Sequence, residues 1–224
     1  MKRITLIFLA LVASTTLMAQ SFNEWRDPEL NEVNRAPMHS SYKIFNSAEE
    51  AAGVYCDQNN PYRLSLNGTW DFEIDNALVG EGKKFFERTS LDGKITVPFC
   101  PESILSGIGY TDFIPSVCYR KTVTISEEEA QKNIFLHFGA VDYKCTVTLN
   151  NSVVGEHKGG YLPFTFDVTA LILDGENDLR LTVTDPTTEG HQARGKQTFK
   201  RGGIWYTPQS GIWQTVWLEE VCEG

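Results

Sequence analysis

FGAVDYKCTVTLNNSVVGEHKGGYLPFTFDVT, running from Phe138 to Thr169, is the stretch whose reading decides the fold. Within it Tyr143, Cys145, Val147 and Leu149 alternate with Lys144, Thr146 and Thr148. A period of two marks a strand with one buried and one solvated face. Asn150-Asn151 interrupts the alternation, and asparagine tolerates the positive φ that a tight hairpin turn needs. The pattern predicts a strand over Tyr143–Leu149 and a return strand over Ser152–Lys158. Gly159-Gly160 ends the return strand, and Tyr161–Val168 begins a third, with Phe164, Phe166 and Val168 on one face. Cys145, in phase with the apolar face, is expected to be a buried thiol. Asp167, just before Val168-Thr169, is placed to accept backbone N–H bonds at a turn. Asp142, at a strand start, is read as structural as well.

Working outward, the same signals recur. Thr69–Ile74 (TWDFEI) follows the turn Asn67-Gly68, and Lys94–Val97 stops at Pro98. Val117, Tyr119, Val123 and Ile125 are in phase over Val117–Ile125. Ser126 and Glu129 make a capping box, so Glu127–Gln131 is at most one helical turn. Ile134–Phe138 leads into the hairpin, and Asp178–Thr184 carries Leu179, Leu181 and Val183 on one face. Gly211–Glu220 is apolar in parts on both faces, as a central strand between two layers would be. About eight short strands with turn signals between them, and almost no helix, predict an all-β sandwich. Strands do not alternate with helices, which disfavours Rossmann and TIM folds.

The chain has 224 residues, enough for one self-stabilising domain of moderate size. Lys2 and Arg3, the apolar run Ile4–Ala13 and Leu17-Met18-Ala19 have the order of a secretory signal peptide over residues 1–19. A membrane anchor would need an apolar run of about 20 residues. Residues 20–60, broken by Pro28 and Pro37, read as an N-terminal arm with one short helix at Ser47–Ala52. The sandwich is expected over residues 61–224. A secreted or periplasmic location follows from the leader.

The formal charge is −9, and removing Lys2 and Arg3 takes it to −11. Such a chain is a poor partner for nucleic acid or an anionic membrane. The five cysteines are odd in number and lack a CxxC, so no disulfide framework is indicated. The four histidines, His39, His137, His157 and His191, are scattered, and no zinc site is expected. No GxSxG elbow and no phosphate-cradling GxxxxGK[ST] loop occurs.

Five segments carry a family resemblance: LNGTWDFEI (Leu66–Ile74), VPFCPES (Val97–Ser103), Leu136–Thr169, GENDLRLTVTD (Gly175–Asp185) and SGIWQTVWLE (Ser210–Glu219). In this order they resemble the N-terminal sugar-binding domain of glycoside hydrolase family 2, and most of all that of bacterial β-galactosidases. The arm Glu24–His39 is similar to the segment preceding this domain in the large β-galactosidases. Asn150-Asn151 departs from the family's usual Asn-Gly. The resemblance implies a galactose-binding-like jelly-roll β-sandwich. It implies a parent enzyme that is a secreted retaining β-glycosidase, with an immunoglobulin-like domain and a catalytic TIM barrel as the sandwich's partners. A barrel needs about 250 residues, so catalytic residues are not expected in this segment, and the segment alone is expected to be inactive. No cofactor is implied here, and the resemblance leaves room for Mg or Na in the full-length enzyme. A β-glucuronidase or β-mannosidase type of parent, or a free-standing carbohydrate-binding module, is the alternative.

The candidate carbohydrate contacts lie on the loop Asp185–Ser210, DPTTEGHQARGKQTFKRGGIWYTPQS. Loops of this length in compact domains are usually functional. The family's loop before the last strand helps line the sugar pocket. By that resemblance Asp185, Arg194, Lys196, Gln197, Trp205 and Tyr206 are candidates for sugar or interdomain contact. Asp, Gln and Arg offer planar groups that accept from or donate to sugar hydroxyls, and an aromatic face can cover sugar C–H groups. Trp205 and Tyr206 could equally pack beneath the loop as core. Asp112, in the loop Glu102–Ser116, is a further candidate, and His157 is either a ligand contact or a half-buried turn residue.

Overall fold

The computed structural model describes residues 63–78, 88, 90–189 and 192–221. The leader 1–19, the arm 20–60 with its Ser47–Ala52 turn, Cys56, Cys222, His39 and His191 lie outside them.

Two antiparallel sheets face each other. The first holds β1 (Arg63–Ser65), β12 (Val216–Val221), β5 (Asn133–Phe138) and β9 (Phe164–Asp167), in that order. The second holds β3 (Gly93–Val97), β2 (Gly68–Ile74), β4 (Ser116–Ile125), β10 (Gly175–Thr184), β7 (Lys144–Leu149) and β8 (Ser152–Lys158). A third ladder joins β6 (Val141–Asp142) to β11 (Gly211–Ile212). The all-β, galactose-binding-like jelly-roll sandwich expected from the sequence is the fold. Trp70, Tyr119, Phe138, Leu136, Leu179 and Leu181 fill the space between the sheets and are at most 1% exposed. Alternation places them there: in β5, Ile134, Leu136 and Phe138 point inward while Asn133, Phe135 and His137 do not.

The hairpin β7–β8 forms as the pattern requires, with Asn150 at φ 50° and Asn151 at φ 64°. Both turn residues have the positive φ of a type I′ turn. The asparagine at 150 has a second reason. Its Oδ1 accepts from Asp178 N at 2.9 Å and its Nδ2 donates to Leu171 O at 2.8 Å. Behind it Asn177, 0% exposed, accepts from Leu173 N and from Asn150 Nδ2, each at 2.8 Å, and donates to Leu173 O at 2.7 Å. Asn177→Ala orphans several of these buried groups at once. At about 1–3 kcal/mol for each unsatisfied group, partly relieved by relaxation, the loss should be roughly 2–4 kcal/mol. Urea titration measures it, and a loss below about 1 kcal/mol would contradict the burial of this network.

Three expectations need correction. Tyr161–Val168 shortens to β9, because Pro163 has no N–H to give a ladder and Gly160–Pro163 forms the bend. That bend carries the chain from the β8 edge of one sheet to the β5 edge of the other, so the third strand leaves the sheet of its hairpin. Gly211–Glu220 is two strands, not one. Gly211 at φ 78° and the break at residues 213–215 let β11 pair with β6 while β12 joins β1 and β5. The strand total among the described residues is twelve, since two- and three-residue ladders leave no periodic trace in a sequence. Elsewhere the reading holds. The Ser126–Glu129 box closes a single turn, with Ser126 N donating to Glu129 Oε2 at 2.8 Å. Thr169 N donates to Asp167 Oδ1 at 3.0 Å, and Cys145 is buried.

Candidate functional site

The loop 185–210 leaves the end of β10 and returns at β11. What holds its base is a group of buried polar side chains. Asp185, 5% exposed, accepts from Thr187 N at 2.7 Å and from the hydroxyls of Thr187 at 3.1 Å and Ser210 at 3.3 Å. Glu102 comes from the loop between β3 and β4 and accepts from Ser210 N at 3.2 Å. Asp142, on β6, lies directly opposite Gly211 in the β6–β11 ladder. Tyr119, from β4, accepts from Ile212 N at 3.2 Å through its hydroxyl. Four segments distant in sequence therefore meet at Ser210-Gly211-Ile212.

The three carboxyls of this base are tuned alike. Burial pushes Glu102 up to about 7. Burial, and then the neighbouring Asp185 and Glu102, push Asp142 up to about 7. Burial also raises Asp185 above the usual carboxylate range. Low-dielectric surroundings disfavour the charged form, and a like charge nearby adds to the effect. Gly160 packs so tightly over Asp142 that an added Cβ would lie 2.4 Å from its Oδ1. On this side of the joint Asp142 is packed against the backbone, and it is 6% exposed. Among the described residues no three His, Cys, Asp or Glu side chains converge as metal ligands.

The outer half of the loop has the opposite character. Lys196 O accepts from Tyr206 N at 2.9 Å, and Thr198 N donates to Tyr206 O at 3.2 Å. Gly202 and Trp205 close a turn, Trp205 N donating to Gly202 O at 3.1 Å. Residues 196–206 thus form a tongue that loops round so that Tyr206 runs parallel beside Gln197. Gln197 pins it: its Oε1 accepts from Gln209 N at 2.6 Å and its Nε2 donates to Tyr161 OH at 3.3 Å. Phe199 meets Phe113 edge to face at 4.8 Å, which ties the tongue to the loop carrying Asp112. Trp205 is 48% and Tyr206 61% exposed, so neither packs beneath the loop as core.

The sequence candidates therefore separate. Asp185 is buried in the joint. Gln197 is half-buried as the pin. Lys196, Trp205, Tyr206 and Asp112 are exposed, and Arg194 is half-buried with Nη1 donating to Thr188 O at 3.3 Å. His157 is a half-buried residue near the end of β8. Its Nε2 lies 3.0 Å from Gly159 O and its ring stacks on Phe164 at 3.9 Å. The sequence reading did not single out Glu102, Tyr161 or Phe199. Glu102 lies inside the VPFCPES stretch, which is a signal of importance without a role. Tyr161 and Phe199 act through contacts 36 and 86 residues away, beyond the reach of any periodicity.

Residues 108–213 match the family model described as "Glycosyl hydrolase 2 galactose-binding domain-like". The chain is 25% identical over 192 residues to a β-galactosidase of Priestia megaterium, covering 75% of this chain and 18% of that protein. It is 35% identical over 108 residues to a β-galactosidase of Thermoanaerobacter pseudethanolicus, covering 45% and 13%. It superposes on a β-glucuronidase of an uncultured Clostridium with a TM-score of 0.57 at 27% identity, covering 70% of this chain and 28% of that one. The chain spans less than a fifth of the length of these two curated relatives. The fold agrees with that match: residues 108–213 are similar to the galactose-binding-like domain of glycoside hydrolase family 2.

Proposed function

We propose that this domain serves a secreted, retaining β-glycosidase of the β-galactosidase type, and that the tongue 196–206 supplies a wall for the sugar. The observation that carries this reading is the exposure of Trp205 and Tyr206 on a segment pinned by Gln197. Aromatic rings in water are a cost unless they meet a partner, and a sugar's C–H face is a suitable one. The Asp185 joint gives the tongue a fixed base, which reduces the ordering cost of binding. The relatives named above as β-galactosidases support the substrate class. The catalytic carboxylates belong to a partner barrel domain in this reading. The carboxyls of the joint, Glu102, Asp142 and Asp185, are buried, whereas retaining glycosidases need two accessible ones about 5–5.5 Å apart.

Calorimetry with a β-galacto-oligosaccharide, together with an assay on a chromogenic β-galactoside, tests this. The 224-residue chain should bind weakly, Trp205→Ala should weaken binding about tenfold, and turnover should stay at background. Turnover above background would place the catalytic pair in this chain and refute the reading. Binding indifferent to Trp205→Ala would remove the tongue from the sugar site.

A further inference from the structure

The tongue's charge is at odds with the rest of the chain. The protein has 20 Lys and Arg against 29 Asp and Glu, yet residues 190–210 hold Arg194, Lys196, Lys200 and Arg201 and no acidic residue at all. Lys196, Lys200 and Arg201 are exposed and form no ion pair among the described residues. Elsewhere on the sandwich several cations are matched by carboxylates: Arg120 and Arg180 share Asp178, Lys144 meets Glu156, and Lys132 meets Glu220, while Arg63, Lys121 and Lys158 lie over aromatic rings. Asp185, Glu102 and Asp142 at the tongue's base are buried, and Glu189, earlier in the same loop, is exposed. Asp112 is exposed, beside the Phe113 that packs on Phe199. The tongue 196–206 also exposes Ile204, Trp205 and Tyr206, at 61%, 48% and 61%.

Unpaired cations beside exposed aromatic rings select a ligand that is both ring-shaped and anionic. Rings supply contact area, and guanidinium and ammonium groups pair with carboxylates. We infer that the tongue is a binding site for an acidic glycan, a chain of sugars bearing carboxylates, held by Lys196, Lys200 and Arg201 with Trp205 and Tyr206 against its rings. The inference rests on the reading of the tongue as a sugar-contacting element and adds the charge class of the sugar chain. A neutral galactan would use the aromatic rings and leave the cations without partners.

The probe is tetragalacturonate beside its fully methyl-esterified form, which has the same linkages and no charge, with a neutral β-galactotetraose as reference. Calorimetry on the 224-residue chain at low salt should show the free acid binding about tenfold or more tighter than the ester. The double variant Lys200→Ala/Arg201→Ala, at exposed positions, should keep the wild-type melting temperature and bring the acid down to the level of the ester. Raising the salt should weaken the acid alone, since exposed charges are screened within about 8 Å at physiological ionic strength. Equal affinity for acid and ester, or an acid affinity unmoved by the double variant, overturns the inference. If β-galactotetraose still binds in that case, the sugar-wall reading stands without it. If none of the three binds, both readings fall and the tongue becomes a surface for protein contact.

Discussion

Gly211→Ala is expected to destabilise the domain by roughly 3–5 kcal/mol, enough to leave a marginal fold partly unfolded. Gly211 sits at φ 78°, where a side chain costs about 1–2 kcal/mol. An added Cβ would lie 2.1 Å from the Tyr119 hydroxyl and 3.1 Å from its ring carbon. Tyr119 is 1% exposed and wedged between Trp70 and Phe72, with ring centroids 6.3 Å and 5.1 Å away, so it has nowhere to retreat. Forcing an extra carbon into such a core costs about 1–3 kcal/mol. Tyr119→Phe by itself should cost about 1–2 kcal/mol, because Ile212 N then loses its acceptor. The two changes share one contact, so their costs should not add. In the Tyr119→Phe background the alanine should cost at least about 1 kcal/mol less than in the wild type. Denaturant unfolding of the four proteins gives the coupling, and simple additivity would mean that Tyr119 and Gly211 do not touch.

Between pH 5 and pH 8 the domain should lose a few kcal/mol of stability as the pH rises. Glu102 has its pKa raised from 4.5 to about 7, and Asp142 from 3.8 to about 7, chiefly by burial. The folded state therefore keeps protons that the unfolded chain has already released. The stability these groups contribute is full below about pH 4 and disappears as pH passes through about 7. Each unit is worth about 1.4 kcal/mol, and the two sites feel each other, so the sum is less than two independent shifts. Asp167 and Glu129 are shifted downward by hydrogen bonds from Thr169 and Ser126, and they act in the opposite sense only in more acid solution. Glu102→Gln keeps an oxygen for Ser210 N and removes the titration. It should flatten the profile and raise stability at pH 8 while changing little at pH 5. A urea midpoint that is constant or rising from pH 5 to pH 8 in the wild type would show that these carboxyls are better solvated than their burial implies.

Both predictions concern the joint at Ser210-Gly211-Ile212, and that is where sequence and structure part company. The β7–β8 hairpin was legible because each of its residues answers to its neighbours two places away. Alternation set the buried face, Asn150-Asn151 set the turn, and Gly159-Gly160 set the end. The all-β class and the capping box at Ser126 were legible for the same reason, as local patterns with local causes. The loop 185–210 could be marked as the functional region from its length and composition alone.

The roles of its residues could not. Asp185 and Trp205 are both candidates in the sequence, yet one is sealed in the joint and the other stands in solvent. What separates them is the company of Glu102, Asp142 and Tyr119 around the joint, Glu102 coming from 108 residues before Ser210. The split of Gly211–Glu220 into two strands likewise depends on β6 being present to pair with β11. The sequence by itself determined the all-β class, the β7–β8 hairpin with its faces, and the resemblance to a family. Only the tertiary structure decided which polar residues are buried and which remain open to a sugar, because burial is set by what packs against a residue from elsewhere in the chain, and no local period records it.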